Sequence, residues 1–115
     1  PRVEECNRLI DELNDKLVLK SFNSAKLYYD LKEYKASITA LNNSLQSYPD
    51  TRFREELLYL ILRSSYELAQ NSIPSKVRER YEQTTEAYYK LIDEYPETEH
   101  LKEAERIFEA AQKAL

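Results

Sequence analysis

A chain of 115 residues with 42% apolar and 33% charged side chains has the make-up of one folded unit with its own core, and not of a disordered tail or a membrane-embedded protein. Glycine is absent where average usage would put about eight, which removes glycine-rich phosphate loops, dinucleotide-binding turns, Asn-Gly hairpins and nucleophile elbows together. The formal net charge is −4, with 17 basic and 21 acidic residues interleaved along the chain, so nucleic acid is not an expected partner.

Punctuation falls to four prolines, at positions 1, 49, 74 and 96. From Val3 the apolar positions run Val3, Cys6, Ile10, Leu13, Leu17, the alternating steps of three and four that mark one face of an amphipathic helix, predicted over about residues 2–18. Cys6 is the only cysteine; it allows no disulfide within the chain and no cysteine metal cluster, and on this face it is expected to be a buried thiol. A second helix is predicted over 20–32 around Phe22, Ala25, Tyr28, Tyr29 and Leu31, although no breaker separates it from the first. The third, over 34–48, carries Tyr34, Ile38, Leu41, Leu45 and Tyr48 and stops at Pro49, because proline disfavours helical geometry at the residue before it.

Asp50 and Thr51 offer side-chain oxygens to the start of a fourth helix, over 52–69, and Glu55 and Glu56 sit near its positive end. Its run from Leu57 to Leu62 is apolar on nearly every side, as suits a helix packed between neighbours, with Leu57, Ile61 and Leu68 expected in the core. That run of six residues is far short of the about twenty needed to span a bilayer. Asn71 to Ser75 read as a loop. A long fifth helix, over 74–95, follows with Val77, Tyr81, Tyr88, Ile92 and Tyr95; Thr98 is positioned to cap a sixth, over 99–115, with Leu101, Ala104, Phe108, Ala111 and Leu115 on one face. No segment shows the period-two alternation of a strand, so the expected class is all-α with about six antiparallel helices in one domain spanning residues 1–115.

The helices also repeat. Tyr48-Pro49-Asp50-Thr51 and Tyr95-Pro96-Glu97-Thr98 are the same motif 47 residues apart, and Tyr34 aligns with Tyr81, Ala40 with Ala87, Leu45 with Ile92, Leu57 with Ala104 and Ile61 with Phe108. Tyr48 and Tyr95 are therefore expected to be equivalent elbow residues. Helix pairs that repeat with proline closing the second member point to an α-solenoid of the tetratricopeptide kind.

The stretch from Ala25 to Ala36, followed by Tyr48-Pro49, resembles a tetratricopeptide repeat. It departs from that pattern at Leu31 to Glu33, where the family usually has glycine, and in a spacing of 47 residues. Ala25-Lys26-Leu27-Tyr28-Tyr29, Tyr34-Lys35-Ala36-Ser37-Ile38 and the run from Tyr48 to Tyr59 together resemble the C-terminal half of BamD-type outer-membrane assembly lipoproteins; the Asn71 to Lys76 loop and the long helix after it are similar to the Bacteroidetes branch. The resemblance implies a scaffold that contacts the periplasmic domains of the central barrel-assembly subunit, on the periplasmic face of the outer membrane. It also implies membrane attachment only through an N-terminal lipid on a cysteine ahead of Pro1, the chain being expected to be a piece of a longer protein.

Catalytic and metal-binding constellations are not expected, and neither are cofactors. His100 is the only histidine and reads as a surface residue; adjacent carboxylates such as Glu4-Glu5, Asp11-Glu12 and Asp93-Glu94 point about 100° apart on a helix and read as solvated faces. Most of the ten tyrosines read as spacers between helices. The candidate partner-binding residues are Tyr59, Arg63 and Tyr66, spaced four and three on the fourth helix and of the types that interfaces favour. A second reading is a tetratricopeptide-like co-chaperone module gripping a terminal carboxylate; its Lys26, Asn42 and Asn43 fall on different members of the helix pairs.

Overall fold

The computed structural model describes residues 2–115. Among them the fold is all-helical, with five helices and no strand: α1 (Arg2–Asp30), α2 (Tyr34–Ser47), α3 (Arg54–Gln70), α4 (Pro74–Glu94) and α5 (Leu101–Ala114). The count is one fewer than the apolar pattern predicts, because the expected helices over 2–18 and 20–32 are a single 29-residue helix. No proline or glycine stands between Asn14 and Ser21 to stop it. What changes there is the packing face: the stripe ending at Leu17 gives way to a second, Val18, Phe22, Ala25 and Tyr29, on which the rest of the molecule packs. Residues 2–17 are exposed throughout. Cys6 is accordingly an exposed thiol and not a buried one.

The turn after α1 closes with the Glu33 amide on the Tyr28 carbonyl and the Lys32 amide on the Tyr29 carbonyl, each at 2.9 Å. This is a Schellman motif, which needs a left-handed residue just past the helix. Lys32 supplies it at φ 62°, in the segment where the resembled repeat carries glycine.

The two Tyr-Pro motifs build the same elbow. Tyr48 and Tyr95 cap α2 and α4 with φ −133° in both and ψ 72° and 68°, and both are half-buried, so their equivalence holds. Thr51 and Thr98 donate their amides to those tyrosines' carbonyls at 3.1 Å, and their own carbonyls take the amides of Arg54 and Leu101 at 3.2 Å. Each threonine hydroxyl accepts a backbone amide two residues on, from Phe53 at 3.1 Å and His100 at 3.2 Å. The threonines thus cap a tight lead-in turn, and the α-helices proper begin at Arg54 and Leu101.

Burial follows the 47-residue register. Ser37 and Thr84, Ser44 and Leu91, Leu57 and Ala104, Leu60 and Ile107, and Ser64 and Ala111 are buried pairs. Small side chains in this set bring helices close: Ser37 Oγ and Ser64 Oγ lie 3.0 Å apart between α2 and α3, and Ser21 Oγ donates to Ser44 Oγ at 2.8 Å between α1 and α2. Tyr34 and Tyr81, also equivalent, each receive a tyrosine edge-on, from Tyr29 at 6.0 Å and Tyr66 at 6.5 Å between centroids. α3 lies against all the other helices and supplies much of the core, Leu57, Leu58, Leu60, Ile61, Leu62 and Tyr66. Leu57 and Ile61 are buried as expected, whereas Leu68, near the end of α3, is half-buried. The described residues form a body 61 × 28 × 18 Å along its principal axes, and no helix among them is long and apolar enough to cross a membrane.

Candidate functional site

Tyr59, Arg63 and Tyr66 stand in line on α3, and they meet α5. The elbow at Tyr95 delivers His100 to the start of α5, where Glu103 and Arg106 follow at steps of three and share one face. His100 stacks on Tyr59 with ring centroids 3.7 Å apart and planes within 5°, and its Nε2 lies 2.9 Å from Glu56 Oε2. The lone histidine is therefore a partly buried joint between α3 and α5, and not the surface residue that its solitary place in the sequence suggests.

Arg63 occupies the middle of the site. Its Nη1 donates to Tyr59 Oη and to Glu103 Oε1, both at 3.4 Å, and its Nη2 lies 3.9 Å from Glu67 Oε1. Its Nε is buried without a partner among the described residues. Glu103 is shared with Arg106, whose Nε donates to both carboxylate oxygens at 3.2 and 3.1 Å. That hydrogen-bonded guanidinium holds the Glu103 carboxyl below the usual carboxylate range, with burial opposing and Arg63 assisting. The Arg106 guanidinium also lies over the Tyr66 ring, 5.9 Å from its centroid, and Gln70 Nε2 donates to Tyr66 Oη at 2.9 Å. Tyr66 is only 7% exposed, its ring lying beneath Arg106. Tyr29 of α1 completes the row; burial pushes its phenol up, partly offset by Arg63.

The three residues singled out in the sequence are thus together, but they are half of the site. Glu103, Arg106 and His100 were legible only as a ladder along α5; nothing in their spacing says which helix they face. Chemically the cluster offers aromatic edges, a guanidinium pair and carboxylates to a partner's polar and aromatic groups. Glu56, Glu99 and His100 bring possible metal-ligand atoms within 4.8 Å of one another, but Glu56 sits in the first turn of α3 and His100 just before α5, where the positive helix ends oppose a cation.

The other candidate residues lie apart from this cluster. Asn42 borders a groove of about 570 Å³ between α2 and α4, floored by Leu58, Ile61 and Ser65 of α3; Lys26 and Asn43 are exposed on α1 and α2. Compared with protein-family models and with curated proteins, the chain matches none.

Proposed function

We propose that this chain is a non-catalytic protein-binding scaffold of tetratricopeptide-like helix pairs, an α-solenoid that holds another protein on the face formed by α3 and α5. The observation that carries the reading is the cluster of Tyr59, Arg63 and Tyr66 with His100, Glu103 and Arg106, two elements aligned by one repeated elbow. Aromatic and arginine side chains at the centre with carboxylates around them are the composition of protein-binding hot spots, and stacked helix pairs supply the extended surface such repeats use.

The partner best suited by the resemblance of residues 25–59 to BamD-type lipoproteins is a periplasmic domain of the central subunit of the outer-membrane barrel-assembly machinery. The chain then works at the periplasmic face of the outer membrane, held there by a lipid anchor on sequence outside it. The test is a binding titration of the chain against those periplasmic domains from the same organism, with Arg63→Ala and Arg106→Ala beside it. Binding that each variant weakens by about tenfold or more, the loss expected of a hot-spot residue, supports both partner and face. No binding by the unmodified chain removes the partner, and binding indifferent to both variants removes the face.

A further inference from the structure

We propose that the trough between α2 and α4 docks an extended apolar segment of another protein, one that carries acidic side chains at one end and a basic side chain at the other. α2 and α4 both pack on α3 but do not meet: among the described residues no Cα pair between them lies within 8 Å. The gap holds two cavities, of about 570 Å³ and 240 Å³, and Ile38 and Gln83 line both. Leu58, Ile61, Ser65 and Leu68 of α3 floor it in steps of three and four. At 100° per residue this stripe lies about 150° around α3 from Tyr59, Arg63 and Tyr66, so the trough is separate from the cluster on α3 and α5 and can be filled while that cluster is engaged.

The trough leaves apolar surface that the core does not cover. Ile38 and Leu68 are half-buried, and Tyr89, at the rim of the larger cavity, is 50% exposed. Its charges say what fits over that surface. The smaller cavity is walled by Lys35 of α2 and by Lys76 and Arg80 of α4, with Glu79 the one carboxylate among its lining residues. None of the four forms an ion pair among the described residues; Arg80 Nη1 donates to the neutral Ser72 hydroxyl at 2.6 Å. The larger cavity has the opposite balance, Glu86 and Asp93 against Lys90, and these are unpaired in the same way. Two ends of opposite sign, neither neutralised within the chain, complement a segment with carboxylates at one end and a cation at the other, and they set the direction in which it lies.

Length and volume define the shape of the occupant. From Lys76 to Asp93 the wall of α4 is about 25 Å long, the span of about eight residues of extended chain. A helix of that length and about 10 Å across takes up roughly 2,000 Å³, more than the two cavities offer, whereas alternate side chains of an extended segment can enter them one after another.

Fluorescence anisotropy on the full chain with a labelled, end-blocked peptide, Lys-Leu-Ser-Ile-Ser-Leu-Glu-Glu, tests the docking; blocked ends leave side-chain carboxylates as its only acids. The expected result is saturable binding that weakens about tenfold or more when the two glutamates of the peptide are replaced by lysine, and by as much in the Lys35→Glu/Lys76→Glu variant, since like charges then face each other. Lysine-ended peptide and double variant together should regain affinity. Gln83→Trp, at an exposed position shared by both cavities, fills the trough and should abolish binding with the thermal transition unchanged. No saturation at millimolar peptide, or binding indifferent to Gln83→Trp, overturns the docking; failure of the charge exchange to restore affinity overturns the assignment of the acidic end. A dimer of the unmodified chain that Gln83→Trp dissociates would mean that the trough takes a second copy, and would overturn the commitment to another protein.

Discussion

Lys32 is a single residue whose conformation opposes its chemistry. A side chain with a Cβ at positive φ costs about 1–2 kcal/mol relative to the same residue elsewhere, and the Schellman turn after α1 demands that φ. Lys32→Gly should therefore raise stability by about 1 kcal/mol, read as a higher urea midpoint with an unchanged slope; a lower midpoint would mean that the turn is held by the lysine side chain itself. The core offers a graded comparison. Leu57 is fully enclosed while Ile61, 9% exposed, borders the groove between α2 and α4. Truncation to alanine at a buried aliphatic costs about 2–5 kcal/mol, less where the site opens to solvent, so Leu57→Ala should cost more than Ile61→Ala in the same denaturation experiment. The reverse order would place the centre of the core on the groove side of α3.

At the scale of elements, the joint between α3 and α5 rests on charge as well as packing. Glu103 is bound by Arg106 and Arg63, and its carboxyl is held low in the folded state. A group with a depressed folded pKa contributes stability above its unfolded value, about 4.3 for glutamate, and loses it as pH falls through the lower folded value. Thermal melts should therefore show the unmodified chain losing its advantage over Glu103→Gln as pH drops below about 4. A constant difference between the two at all pH values would show that Glu103 acts through shape alone. The contribution is modest, because Glu103 is about a third exposed and solvent screens its pairs. The elbows differ in the same way. Thr98 Oγ1 donates to Glu55 Oε2 at 2.7 Å besides accepting the His100 amide, so Thr98→Ala should lower the melting temperature more than Thr51→Ala; equal losses would leave the Glu55 contact without weight.

Across the whole molecule, the 47-residue repeat recurs in the elbow dihedrals and in the buried pairs; the equivalent Tyr34 and Tyr81 also each take a tyrosine edge-on, from Tyr29 and Tyr66, which lie outside that register. α3 sits in the middle of this arrangement, against every other helix, while residues 2–17 of α1 stand in solvent. Native-state hydrogen exchange should accordingly be slowest at Leu57 to Ala69, since central amides open only with the whole fold. Slower exchange in α4 or α5 would contradict the central place of α3.

Apolar spacing and the two Tyr-Pro motifs determined that the chain is helical, where α2 and α4 stop, and which residues of α2 and α4 correspond, because periodicity and proline act locally and need no partner. Absence of glycine likewise excluded whole families of nucleotide loops before any fold was known. What local pattern could not decide was what each face meets. The stripe through Cys6 and the stripe through Phe22 both keep helical spacing, and only the tertiary structure shows that the body covers the second and leaves the first exposed. For the same reason the sequence marked Tyr59, Arg63 and Tyr66 by their spacing on one helix but missed His100, Glu103 and Arg106. Their place opposite depends on how an elbow 47 residues from its twin turns α5 back along α3, and a contact across 40 residues of chain is set by the packing of intervening helices, which no short-range pattern records.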